Sequence, residues 1–456
     1  MFTLYWIVPR KYQNSVLLIS SYIFYSAWDW RFISLIFLST IVDYVVAKKI
    51  EISSGNKKRL LTISIITNLG ILGIFKYFGF FVNQFNTLFM TVGLDLFIPS
   101  ISLILPVGIS FYTFQTMSYT LDVYKGNTKP IQNLFDFALY VSFFPQLVAG
   151  PIERSHRLLP QIIKQRIFRQ VQFGEGLYYV IYGLFLKVVI ADNMAIIANS
   201  VYSNPYETQH GLDVVMGTYA FAFQIYGDFA GYSFIAIGIA KWLGIHLMKN
   251  FNSPYLADSP SDFWQRWHIS LSSWLKDYLY IPLGGNRKGS WLTGRNLIIT
   301  MVLGGLWHGA GWTFIAWGFF HGLILIIYKI VREWLTSRFV INDKLHLLKL
   351  FRIFILFHLI CISWVFFRAD TIGQVWVLFN QIFFNLSFSN HTVGMMSIII
   401  FYITPMLIYE IWNEGQSHTS FNERSTFSLL LFFNYCFFMI LVFPAPSHQE
   451  FIYFQF

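Results

Sequence analysis

Three histidines stand where an imidazole could do acid–base work. His308 lies in Gly304-Gly305-Leu306-Trp307-His308-Gly309-Ala310-Gly311-Trp312, and His321 follows in Trp317-Gly318-Phe319-Phe320-His321-Gly322. His268 lies in the aromatic segment running from Asp262 to Tyr280. A neutral imidazole takes a proton from a hydroxyl as general base, and histidine titrates in the useful range. Ionisable groups inside apolar membrane segments are costly and are functional candidates by default. The glycines beside His308 suggest room for a ligand next to the ring. They equally suit a helix-packing motif in which small residues let backbones approach, and the residues alone leave both readings open. On one unbroken helix His321 would lie about 220° around from His308, so a shared site requires the glycines to break the helix.

The segment around His268 carries a second signal. Trp264, Trp267, Leu271, Trp274 and Tyr278 recur at spacings of three and four, which predicts one helix with an aromatic stripe. Such a helix suits the membrane interface or a re-entrant position. Gln265, Arg266, Ser273, Lys276 and Asp277 fall off the stripe. The following turn, Leu283-Gly284-Gly285-Asn286-Arg287-Lys288-Gly289-Ser290, could hold phosphates through backbone N–H groups and charge. It is not a Walker loop, because Ser290 stands where lysine is needed, and it also reads as an ordinary basic cytoplasmic turn. Asp228 stands out among polar and small neighbours in Gln224-Ile225-Tyr226-Gly227-Asp228-Phe229-Ala230-Gly231-Tyr232. For Asp122, Lys187, Asp192 and His358, pairing between helices is the expected role. No zinc-protease, nucleophile-elbow, dinucleotide or haem-attachment motif occurs, and no metal site is expected.

The elements that must position these residues follow from composition. The chain has 456 residues, 55% hydrophobic, 12% charged and 20% aromatic. So few charges could not cover a water-soluble surface of this size, and the aromatic content excludes disorder. The two cysteines, Cys361 and Cys436, sit in apolar runs and imply no disulfide framework. The net charge of +10 falls in clusters between apolar stretches, which points to membrane orientation rather than nucleic acid. The expected fold is an all-α integral membrane protein of about 10–12 transmembrane helices, some short or re-entrant. It forms a single polytopic domain, with N-terminal helices over 1–100, a core over 101–370 and C-terminal helices over 371–456. Phe135–Val148, Ser102–Tyr119 and Val214–Phe234 are among the candidate spans. The basic stretches Lys48–Arg59, Arg154–Arg169 and Lys329–Lys349 (with Lys344) are expected in the cytoplasm, with the N-terminus. Ser203–Asp213, with Glu207 and no Lys or Arg, is expected outside.

Long ordered motifs carry a family resemblance. Asp262–Gly289, Trp307-His308-Gly309-Ala310-Gly311-Trp312 and Phe320-His321-Gly322 resemble the membrane-bound O-acyltransferase family, in its bacterial polysaccharide branch. Leu105–Phe111, Ser118–Tyr124, Phe143–Ile152, Gln224–Tyr232, Asn250–Leu256 and Ser363–Ala369 fit in register, and the ending Phe451–Phe456 is similar too. The resemblance implies a helical core with a central tunnel, and transfer of an acyl group from a cytoplasmic thioester to a hydroxyl. It implies that His308 is the catalytic histidine, with His268 and His321 as further histidines of the site. Trp264, Trp267 and Trp307 would wall the substrate, with Asp228, Lys276, Asp277, Asn286 and Arg287 as further contacts. The cations Lys276, Arg287 and Lys288 would meet a donor's phosphates. No bound cofactor is implied; acetyl-CoA is the simplest donor. A periplasmic SGNH or serine-esterase-like transferase would be the partner, and a glycan such as peptidoglycan or alginate the acceptor. The place implied is a bacterial inner membrane.

Two alternatives remain at this level. One is D-alanyl transfer towards teichoic acids, which the agreement with the polysaccharide-branch motifs disfavours. The other is a transporter using Asp228 and Lys187, against which the lack of an internal repeat counts slightly.

Overall fold

A computed structural model describes residues 1–99, 103–205, 210–338, 346–415, 425–447 and 449–452. Glu207, Lys344 and the end of the Phe451–Phe456 stretch lie outside the described residues. Every regular element among the described residues is helical. Among the described residues, six helical runs are long and apolar enough to cross a membrane: Arg10–Ile52, Lys57–Thr91, Gln170–Tyr202, Trp312–Arg338, His346–Arg368 and Asn390–Gly415. The first of these is two helices, Arg10–Asp29 and Ile33–Ile52, divided at Trp30–Phe32, where the Asp29 carboxylate accepts the Arg31 N–H at 3.0 Å. Exposed Ile66, Ile330, Phe354, Ile408 and Phe437 fit a lipid-facing surface. The chain is a multi-pass integral membrane protein.

Other apolar stretches are divided or more polar than a simple span. Phe135–Val148, expected as one span, contains the nine-residue helix Leu134–Ser142, which stops at Phe143 before Pro145. Pro145 falls in the first turn of the next short helix, Phe144–Leu147, where its missing N–H costs no helical bond. Ile109–Lys125 is a 17-residue helix bounded by Gly108 and Gly126, both left-handed. Gly211–Trp242 has 32 residues but carries buried Thr218, Gln224, Asp228 and Ser233.

The residues group into two compact units, Met1–Leu177 with Ala236–Met248, and Tyr178–Ile235 with Lys249–Phe456. In the first, Tyr5 Oη donates to Leu243 O at 2.8 Å and Trp6 Nε1 to Trp242 O at 3.0 Å. Its buried Asp43 carboxylate accepts from Ser64 Oγ and, at 2.8 Å, from Asn68 Nδ2. Those donors offset the cost of burying a carboxyl group away from water. In the second unit, Lys187 Nζ lies 2.7 Å from both Asp192 Oδ1 and Asp228 Oδ1. The same unit contains His268, His308 and His321.

Candidate active site

His308 closes the helix Ser290–His308, and residues 309–311 break the chain before the helix Trp312–Arg338. The two helices pack as an antiparallel pair whose closeness depends on glycine. A Cβ on Gly318 would fall 2.3 Å from Met301 O, so only glycine fits this crossing without displacement. The interruption removes the angular conflict between His308 and His321. The Trp317 ring touches both, with centroids 5.2 Å from His308 and 4.7 Å from His321.

The glycines do not leave open room beside His308. A Cβ on Gly309 would lie 2.0 Å from the Phe314 ring, and His308 is only 4% exposed. The space is filled by Phe314 because the helix pair closes over it. Packing thus accounts for the glycines without removing His308 from the site.

His268 reaches the same place from a broken helix. Ser259 Oγ accepts the Asp262 N–H at 3.2 Å and Pro260 begins the helix Pro260–Arg266. This follows the preference for serine at the N-cap and proline in the first turn. Trp267 is then extended and His268 takes the left-handed conformation, φ 42°, before the helix Ile269–Leu275. The expected single aromatic helix is therefore two short ones with a kink at His268. A non-glycine residue held there stores local strain and persists only where its surroundings impose it.

Asn250 imposes it. Its carbonyl oxygen Oδ1 accepts from His268 Nδ1 at 3.1 Å, Ser270 N at 3.2 Å and Ser270 Oγ at 2.9 Å. Its backbone carbonyl accepts the Ile269 N–H at 2.9 Å, and its Nδ2 donates to Ser233 Oγ at 3.3 Å. His268 lies between the candidate spans and is fully buried, and burial lowers its pKa to about 3. The ring is consequently neutral, with the proton on Nδ1 directed at Asn250 and the lone pair on Nε2. A donor role towards an oxyanion does not fit this tautomer.

The three histidines meet in an aromatic enclosure. The rings of His268 and His308 are 6.2 Å apart, and Trp307 touches both at 5.5 and 5.0 Å. Trp264 lies 5.0 Å from His321, and Phe263 stacks on His321 at 6.1 Å. Trp267 packs on Trp364 at 5.1 Å. His321 Nε2 lies 3.0 Å from Ser363 Oγ, whose own hydroxyl donates to Ile360 O at 2.6 Å. His321 must then donate through Nε2 and keep its lone pair on Nδ1.

The remaining expected contacts lie elsewhere. Lys276 and Asp277 are exposed on a wide helical turn after Leu275, and Asn286, Arg287 and Lys288 are exposed on the glycine turn. That turn is tied down by Asn296 Nδ2, which donates to Gly285 O at 3.0 Å. Asp228 is turned to Lys187 and accepts the Ile452 N–H at 2.9 Å, whereas its neighbour Phe229 touches His268 at 4.5 Å. Among the described residues, no group of three or more His, Cys, Asp or Glu side chains could hold a metal ion. Asn250, Ser363 and Trp317 had no role in the sequence reading, although each lies in a segment singled out there.

The geometry can carry proton transfer in a site shielded from water. Residues 22–369 match the MBOAT, membrane-bound O-acyltransferase, family. The chain is 40% identical over 394 residues to the probable alginate O-acetylase AlgI of Azotobacter vinelandii, covering 86% of this chain and 76% of that one. It is 35% identical over 484 residues to that of Pseudomonas putida, covering 99% and 96%. It is 38% identical over 385 residues to the peptidoglycan O-acetyltransferase of Helicobacter pylori, covering 78% and 71%. With the match spanning most of its length and including every element of the histidine enclosure, the chain belongs to the membrane-bound O-acyltransferase family and is a membrane O-acyltransferase.

Proposed function

We propose that this enzyme takes an acetyl group from a cytoplasmic thioester and passes it across a bacterial inner membrane for O-acetylation of an extracytoplasmic glycan. The names of its relatives support the glycan, alginate or peptidoglycan, and the acetyl group. The observation that carries the chemistry is the buried pair His308 and His268, 6.2 Å apart ring to ring. His308 takes the proton of the incoming hydroxyl as that oxygen attacks the thioester carbonyl. The proton then passes to the departing thiolate as the tetrahedral intermediate collapses. His268, its ring fixed by Asn250, lines the place beside His308 that the hydroxyl takes. The tryptophans exclude water, which would otherwise hydrolyse the acyl group.

Acetyl-CoA is the simplest donor, its phosphates meeting the exposed Lys276, Arg287 and Lys288. The basic loops support a cytoplasmic N-terminus. The exported acetyl group goes to a periplasmic serine-esterase-like transferase, which delivers it to the glycan. The test compares wild type with His308→Ala, each expressed with that transferase. Base-released acetate is measured from peptidoglycan and from secreted polysaccharide. Loss of acetate from one fraction in the variant supports the reading and names the polymer. Equal acetate in both strains rejects it.

A further inference from the structure

The collapse of a thioester onto a hydroxyl puts a negative charge on the carbonyl oxygen, and a site of this kind needs an N–H or O–H donor aimed at that oxygen. Two of the three histidines of the enclosure have their ring N–H committed. His268 directs Nδ1–H to Asn250 and His321 directs Nε2–H to Ser363. Trp317 is 1% exposed, and its indole Nε1–H has no hydrogen-bond partner among the described residues. A buried donor left in that state costs about 1–3 kcal/mol, and structures retain few such groups without a reason. Its ring lies against His308 at 5.2 Å and His321 at 4.7 Å, and Trp264, whose Nε1–H is in the same state, lies 5.8 Å away.

We infer that the indole N–H of Trp317 is the side-chain donor that stabilises the oxyanion of acyl transfer. In the step it serves, the hydroxyl oxygen forms a bond to the carbonyl carbon and gives its proton to His308. The carbonyl π pair moves to oxygen, where the Trp317 N–H holds it. The pair then returns, the C–S bond breaks, and the thiolate leaves with the proton from His308. Nothing is oxidised or reduced. Trp317 stays beside His308 because it lies on the helix that the Gly318 crossing presses against Ser290–His308.

The inference rests on the catalytic reading of His308, and the experiment separates the two. Thiol release from acetyl-CoA is measured in detergent-permeabilised membranes that contain the full chain, the periplasmic transferase and the glycan acceptor. The variants are Trp317→Phe, Trp317 replaced by benzothienylalanine (a ring of nearly the same shape with sulfur for N–H), and His308→Ala. Loss of one oxyanion donor lowers kcat by roughly 10²–10³-fold, and both Trp317 replacements are expected to show this with KM for acetyl-CoA unchanged. Wild-type kcat in both overturns the inference. Loss in the phenylalanine variant with full activity in the benzothienyl variant overturns it too, since only packing then differs. If His308→Ala is fully active, the catalytic reading itself fails, whatever the Trp317 replacements do.

Discussion

Replacing Asn250 by alanine removes the side-chain oxygen that sets the tautomer of His268 and accepts from Ser270. Three hydrogen bonds converge on its side-chain oxygen, from His268 Nδ1, Ser270 N and Ser270 Oγ. A net value of about 1 kcal/mol each puts their sum near 3 kcal/mol. Were all of it expressed in the transition state, a tenfold change per ~1.4 kcal/mol gives roughly a 100-fold loss of kcat. Asn250→Asp keeps an acceptor at Oδ1 and is expected to lose less, although it gives up the donor to Ser233. The assay is initial rate against thioester concentration, with thermal unfolding in detergent measured on the same preparations. KM for the thioester is expected to stay near wild type, because Asn250 acts through His268 and not on the donor. A wild-type kcat for Asn250→Ala, or an aspartate variant as slow as alanine, would refute the reasoning.

Gly318→Ala pushes a methyl group to 2.3 Å from Met301 O, and overpacking of this kind costs about 1–3 kcal/mol; a lower Tm in detergent is expected, and an unchanged Tm contradicts the crossing described. Ser363→Ala leaves the His321 Nε2–H without its acceptor, so a smaller loss of kcat than for Asn250→Ala is expected in the same assay. Glu153 is buried and accepts the Met248 N–H, and burial raises its pKa from 4.5 to about 7. The folded state therefore binds a proton that the unfolded state has released, so this group's contribution to stability falls as pH rises from 4.5 to about 7. Unfolding midpoints across that window should show a flatter slope in Glu153→Gln, and identical slopes would contradict it. Arg266 binds Asp262 at 2.8 Å and Glu414 at 3.0 Å immediately before Trp267 and His268. Because the bridge is only partly buried, Glu414→Gln is expected to cost about 1 kcal/mol or less of stability, read from the Tm.

How much of this was legible in sequence depended on whether the cause was local. The scarcity of charge and the long apolar runs announced a membrane protein, since both are counted along the chain. The His308 and His321 blocks were visible for the same reason. Trp264, Trp267, Leu271, Trp274 and Tyr278 do recur at helical spacing, yet the helix breaks at His268. The cause is Asn250, 18 positions away in sequence, and no local period reports such a bond. The roominess inferred from Gly309 was lost because Phe314, five residues later, turns back into the space. Asp228 looked like a site residue by its neighbours, but its carboxylate meets Lys187, and the helical face it occupies cannot be read without the partner. Tyr226 Oη donates to Glu410 from 184 residues away, a pairing with no trace in composition.

The most direct test of the account is transfer of labelled acetyl from acetyl-CoA to glycan by membranes carrying the wild-type chain or His308→Ala, with the periplasmic transferase present in both. A positioned general base contributes roughly 10²–10⁴-fold, so the variant should fall by at least the lower figure while its Tm and helical content match wild type. A variant that is correctly folded and transfers acetyl at the wild-type rate would contradict the central claim that His308 moves the proton.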